Sequence, residues 1–346
     1  MQPNFRSDNE SPAAAEIMAA LEQANRGTAW SYAEDRFSRE LDSAFSKLFG
    51  TTVTVIPLST GTAANSIALS CMAPSWGSVY CHSGAHIYND EGGAPEFFGH
   101  GLRLVGVPGA NGKLQSDALE EAVHADEGHG VHSYVPSVVS LTQSTEAGTI
   151  YQPDEIHRLC STAGQLGMHT HMDGARFANA VASLGCHPAD VTWKAGVDML
   201  SFGATKNGCM GAEALVIFGS PELQDKAERQ RKRSGHLLSK MRYVSAQLLA
   251  YIEGGLWLRL ADNANRQAAR FAAAIANHPQ TESEFTIDAN EVFLRWTPAG
   301  FEALENTGVQ FLMWPGRDDL ARFVFSHVTT DEETRFLCDR LADIIV

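Results

Sequence analysis

From Thr51 to Phe202 the chain alternates short apolar or β-branched runs with helical stretches, and this alternation restricts the possible folds more than any other feature. Thr51–Leu58, Ser78–His82, Leu102–Val107, Ser137–Thr142, Met168–Asp173 and Val197–Phe202 read as strands. Helices fall between them, at Ala63–Met72, at Ser116–Ala125 and from Pro153 to Leu166. Strands separated by helices predict an α/β fold, a mainly parallel sheet with helices on both faces. Upstream, Ser11-Pro12 opens a helix through Asn25, with a cap residue and a proline at the first helical position. A second helix runs from about Asp35 to Phe49 and closes on Gly50.

Beyond a further strand at Ala212–Phe218 the texture changes. From Pro221 to about His278 the chain is helical. Phe285–Ile287, Val292–Trp296, Val309–Trp314 and Arg322–Ser326 then read as short strands with helices between them, a small α+β unit. The expected division is an N-terminal segment over 1–30, a large domain over 31–254 and a small C-terminal domain over 255–346, joined at Gly254-Gly255 and the long helix after them.

Composition excludes several classes. The formal net charge of −15 argues against nucleic acid and against anionic membrane surfaces as partners. No apolar run approaches the roughly 20 residues a membrane span needs. The six cysteines are scattered without a CxxC pair and read as reduced thiols of a cytoplasmic protein. The polar N-terminus carries no signal-peptide core.

Three segments carry chemistry. Lys206 sits in a turn of small residues between two apolar strands, where desolvation favours the neutral, nucleophilic amine that a Schiff base requires; a surface lysine in a hairpin is the plainer reading. Ser59-Thr60-Gly61-Thr62 joins a strand to a helix, so its backbone N–H groups can cradle an anion, typically phosphate; it is neither a Walker loop nor a dinucleotide motif. In His169-Thr170-His171-Met172-Asp173, alternation puts His169, His171 and Asp173 on one face, with Asp173 at the strand's carboxyl end. That set could ligate a divalent metal, or Asp173 could face a protonated ring nitrogen of a cofactor, or cap the next helix. His86 could stack on a planar ligand or move protons.

Taken together these pieces resemble pyridoxal phosphate enzymes of the aspartate aminotransferase fold (fold type I), and among them the L-threonine aldolases of the bacterial low-specificity branch. The matching segments are Arg6-Ser7-Asp8-Asn9, Tyr32-Ala33-Glu34-Asp35, Gly61-Thr62-Ala63-Ala64-Asn65, Ala85-His86 with Glu91-Gly92-Gly93, His171-Met172-Asp173-Gly174-Ala175-Arg176, Thr205-Lys206-Asn207-Gly208, Ser239-Lys240-Met241-Arg242 and Ala321-Arg322-Phe323. The resemblance implies that Lys206 binds pyridoxal 5'-phosphate covalently, that Asp173 pairs with the pyridine N–H, that His86 stacks on the ring, and that Gly61, Thr62 and Thr205 hold phosphate. It implies a substrate carboxylate held by Arg176 and Arg322 with help from Ser7, and a phosphate contact from Lys232 or Arg233 of a neighbouring subunit. His86 is the first choice of base, with His132 matching a second family histidine by position.

The implied reaction is reversible retro-aldol cleavage of L-threonine, L-allo-threonine and related β-hydroxy-α-amino acids to glycine and an aldehyde. The implied assembly is a homotetramer, a dimer of dimers, with residues 1–30 near the tight interface. A β-eliminating lyase or an aminotransferase of the same fold would keep Lys206, Asp173 and the phosphate turn, and a metal-dependent hydrolase on His169, His171 and Asp173 is the reading from another class. Ala33 stands where many relatives have glycine, Gln143-Ser144-Thr145-Glu146 replaces a common Glu-Asn-Thr-His, and Arg317 is a rival to Arg322 for the carboxylate.

Overall fold

A computed structural model describes residues 2–126 and 130–345. Seven strands form the larger sheet: β1 (Val53–Leu58), β2 (Gly77–His82), β3 (Arg103–Val107), β4 (Val135–Thr142), β5 (His169–Gly174), β6 (Met199–Gly203) and β7 (Glu213–Phe218). Their spatial order is β1-β7-β6-β5-β4-β2-β3. Strand β7 is antiparallel to both its neighbours, β1 and β6, and the remaining pairs are parallel. The reversal has a local cause: the turn between β6 and β7 is too short for a crossover, so the two strands pair as a hairpin. Lys206 lies in that turn.

The parallel strands read as apolar runs because helices cover both faces; β6 is buried along its whole length. Helix Arg36–Phe49 begins and ends where its sequence signals lie. Asp35 accepts from Ser38 N at its N-cap, and Gly50 takes the left-handed conformation at φ 66°.

The smaller sheet contains β8 (Glu282–Ser283), β9 (Glu291–Arg295), β10 (Leu312–Met313) and β11 (Leu320–Val324), ordered β10-β11-β9-β8 and antiparallel throughout. Two expected strands change here. Phe285–Ile287 is irregular, because β9 takes its edge partner from Glu282–Ser283 instead. Phe285 contributes an edge-to-face contact with Phe293, at 5.3 Å between centroids. The Val309–Trp314 run shrinks to the two residues of β10, and Gln310 bridges to Asn4.

The helix Leu256–Asn277 spans two cores. Leu256, Trp257 and Ala261 belong to the core of the larger sheet, while Ala268, Phe271 and Ile275 belong to that of the smaller. The N-terminal segment does the same from outside. Phe5 is buried in the smaller core, its N–H bonds Gln310 O at 2.8 Å, and its carbonyl accepts from Val324 N at 2.7 Å. Ala14 N then donates to Gly208 O at 2.8 Å. That bond explains a further departure: the first helix starts at Ala15, not at Ser11-Pro12, because the preceding residues are spent on docking the segment against the Lys206 turn. No helix among the described residues is long and apolar enough to cross a membrane.

Candidate active site

Strands β1, β2, β5 and β6 all end at one edge of the larger sheet, and the loops that follow them converge there, as ligand sites in α/β sheets do. A cleft of about 260 Å³ at this edge is lined by Ser59, Thr60, Gly61, Thr62, Asn65, His86, Glu91, Asp173, Ala175, Thr205, Lys206 and Glu213, with Asn9 from the N-terminal segment. A second cleft, about 690 Å³, shares Asn9, His86 and Lys206 with the first and adds Ser7, Glu146, Arg176, Arg322 and the stretch Leu312–Pro315.

At one side of the first cleft Thr60 caps the helix Gly61–Met72, its hydroxyl accepting from Ala63 N at 3.2 Å. The N–H groups of Gly61 and Thr62 remain for a ligand. A side chain at Gly61 would meet only open space. Thr205 lies nearby, its hydroxyl tied to the Ala212 backbone.

Asp173 is fully buried. One carboxylate oxygen accepts from Ala175 N at 3.0 Å and the other from Asn65 Nδ2 at 2.9 Å. Burial, reinforced by neighbouring Glu91, pushes its carboxyl above the ordinary range. Asn65 also donates to Glu91 Oε1 at 2.9 Å, and the same oxygen lies 2.9 Å from His86 Nδ1. Four side chains, His86, Glu91, Asn65 and Asp173, thus form one hydrogen-bonded row. The bond to Glu91 raises the His86 pKa above its ordinary value.

Lys206 is held by its neighbours. Asn207 donates to Tyr251 Oη at 2.6 Å and to Trp257 O at 2.8 Å. Glu213, the first residue of β7, accepts from Ala204 N at 3.1 Å, and burial pushes its carboxyl up to about 7.

The two arginines of the second cleft differ. Arg176 is buried and bidentate to Asp8, through Nε at 2.8 Å and Nη2 at 3.0 Å, while its Nη1 lies 3.0 Å from Glu291 Oε2. Burial alone would raise the Asp8 carboxyl, but Arg176 and then Lys206 outweigh it and hold Asp8 low. Arg322 is more open, with Nη1 3.7 Å from Glu291 Oε1. Arg317 is bidentate to Asp319 and lines a neighbouring pocket, not this cleft.

The structure therefore brings together Ser7, Gly61, Thr62, His86, Asp173, Arg176, Thr205, Lys206 and Arg322. It does not bring in His132 or Lys232 within one chain. His132 is exposed on a turn before β4, and Lys232 lies over the Tyr32 ring at 4.9 Å. The metal reading gains nothing. Both ring nitrogens of His171 face serines, Ser140 at 2.9 Å and Ser201 at 3.0 Å, and burial lowers its pKa to about 3. His169 pairs with Asp198 instead. Among the described residues no group of three His, Cys, Asp or Glu could hold a metal ion.

Sequence reasoning missed Asn65, Glu91, Asp8, Glu213 and Glu291 as parts of the site. Asn65, Glu91 and Asp8 stood within matched segments, but only the fold shows their partners. In the divergent stretch, Gln143 is buried and bonds Tyr151 in both directions, and Thr145 bonds Thr149, so the fourth residue, Glu146, alone opens to the cleft. Ala33 holds φ 69° and Tyr32 φ 55°, a left-handed backbone that suits the glycine the family resemblance leads one to expect at position 33.

Residues 4–296 match the family Beta-eliminating lyase. The chain belongs to that family. It is 42% identical over 333 residues to the low specificity L-threonine aldolase of a Pseudomonas species, covering 96% of this chain and 95% of the relative. The Pseudomonas aeruginosa protein of the same name is 41% identical over the same shares. A threonine aldolase of Leishmania major superposes with a TM-score of 0.92, at 25% identity and over 99% of both chains. The Oryza sativa TDC solved with PLP and tryptamine shares the fold, with a TM-score of 0.76 at 14% identity over 99% of this chain and 83% of its own.

This member of the β-eliminating lyase family is thus a lyase of fold type I, the fold in which the Oryza sativa neighbour holds pyridoxal phosphate. Its cleft fits that group on its own terms. The capped helix start beside Gly61 suits a phosphate, and among the described residues the buried Asp173 has no cationic partner in hydrogen-bond contact and Asn65 Oδ1 is a buried acceptor without a donor.

Proposed function

We propose that this lyase cleaves L-threonine, L-allo-threonine and related β-hydroxy-α-amino acids reversibly to glycine and an aldehyde. The observation that carries the reading is that the cleft containing Asp173 and the cleft containing Arg322 share Lys206, His86 and Asn9 in their walls. Lys206 would hold pyridoxal phosphate covalently, Asp173 would pair with its ring N–H, and Gly61, Thr62 and Thr205 would receive its phosphate. When bound, the cofactor supplies an electron sink for the pair released at Cα.

The chain's own residues do the rest. Arg322, with Arg176 and Ser7 beside it, orients the substrate carboxylate and so decides which bond at Cα is activated. His86 takes the β-hydroxyl proton at Nε2, the nitrogen that Glu91 leaves free, and Glu91 steadies the imidazolium. The Cα–Cβ bond breaks, the aldehyde leaves, and a proton delivered to Cα completes glycine. Lys232 and His132, outside the clefts of their own chain, would act from a neighbouring subunit of a homotetramer in the cytoplasm.

The test is an absorbance spectrum of the purified holoenzyme with and without glycine, followed by product analysis. A visible band abolished in Lys206→Ala and shifted by glycine, with aldehyde and glycine formed from threonine, is the expected result. Keto acid and ammonia would identify a β-eliminating enzyme, the reading favoured by the family's own description; a transferred amino group would identify an aminotransferase.

A further inference from the structure

Glu291 is fully buried behind the two arginines, on β9 of the smaller sheet. Neither of its oxygens accepts a hydrogen bond of good geometry, and its compensation among the described residues is two ion pairs, to Arg176 at 3.0 Å and to Arg322 at 3.7 Å. The charges that face it come from four other elements. Arg176 follows β5, Arg322 belongs to β11, Asp8 to the N-terminal segment and Glu146 to the loop after β4. Arg176 and Arg322 supply two positive charges, and ionised Asp8 and Glu291 cancel both. Glu146, on the cleft wall, adds another negative charge. With every carboxylate ionised, the clamp has no net positive charge to offer an anionic ligand. A proton on Glu291 returns one positive charge to the Arg176–Arg322 pair and, with Glu146 counted, lifts the total from −1 to zero.

We propose that binding of the substrate carboxylate at Arg322 and Arg176 is coupled to protonation of Glu291, which makes Glu291 a positioning residue that sets the pH range in which the amino acid is held. Asp8 is unsuited to carry that proton, since both its oxygens accept from Arg176. Burial pushes the Glu291 carboxyl up to about 7, with Glu146 and Asp8 adding to the effect and the two arginines opposing it. A substrate carboxylate in front of the arginines draws them from Glu291 and raises that value further. Binding therefore takes up a proton, and affinity falls by up to about tenfold per pH unit above the Glu291 titration.

This inference rests on the amino-acid lyase reading above, and one experiment separates the two. Glycine is titrated into holoenzyme by calorimetry, in buffers of different ionisation heat, with the absorbance spectrum recorded in parallel. The expected result is a spectral change accompanied by proton uptake near neutral pH. Glu291→Gln is expected to bind glycine with that uptake removed and with a flatter pH dependence of affinity. Glu291→Met is the second variant should the amide disturb packing. Glu146→Gln is the comparison variant: it keeps the uptake but moves it to lower pH, because Glu146 helps raise the Glu291 carboxyl. A spectrum that moves with glycine while Glu291→Gln or Glu291→Met takes up as many protons as the parent overturns the role of Glu291 alone. Uptake absent from Glu146→Gln at every pH, while Glu291→Gln keeps it, assigns the proton to Glu146 and also overturns it. A spectrum unmoved by glycine overturns the lyase reading, and this inference with it.

Discussion

His86 is informative because its function depends on a residue five positions on. Its Nδ1 lies 2.9 Å from Glu91 Oε1, and that bond raises its pKa above 6.5. A base must be neutral to act, so activity should rise with pH through the His86 titration. In Glu91→Gln the raising influence is gone, and the acid limb of the kcat/KM profile should move to lower pH, with a lower plateau because the ring is no longer steadied. A limb that stays in place would remove His86 from the role of base. The pairing was not legible in the sequence, where Ala85-His86 and Glu91-Gly92-Gly93 stood only as matched segments. The short helix His86–Asn89 brings the two together.

Among the elements, the hairpin between β6 and β7 best shows a sequence signal completed by packing. Two apolar strands around Lys206 were legible, and so was the preference for small residues in the turn. The reason for glycine at 208 was not. Gly208 holds φ 107°, and a Cβ there would lie 2.8 Å from Leu260 Cδ1 and 3.3 Å from Ala14 Cβ. Gly208→Ala should therefore cost about 1–3 kcal/mol of stability and loosen the Lys206 turn. Chemical denaturation read beside the visible absorbance of the holoenzyme checks both effects. Phe285–Ile287 failed as a strand for the opposite reason, whereas Val309–Trp314 kept only Leu312–Met313, paired with β11. The local pattern of Phe285–Ile287 suits a strand, but a strand exists only where an edge accepts it, and β8 and β11 already flank β9.

For the whole molecule, two buried glutamates link folding to pH. Burial raises both Glu213 and Glu291 from 4.5 to about 7. The native state then binds protons more tightly than the unfolded chain, so their effect is to reduce stability as pH rises between about 4.5 and 7, and to leave it constant above. The double variant Glu213→Gln/Glu291→Gln should lose less stability over that interval than the parent apoprotein, as measured by urea unfolding at a series of pH values. Equal slopes would refute the linkage. What the sequence determined by itself was the layered α/β design, the Lys206 turn, the turn Ser59-Thr60-Gly61-Thr62 and the place of Asp173 at a strand end, because strand and helix periodicity and turn chemistry are local. The arginine–carboxylate cluster and the row from His86 to Asp173 were decided by tertiary structure. Asp8, Arg176, Glu291 and Arg322 come from four distant segments, and their charges take meaning only when folding buries them within ion-pair distance of one another.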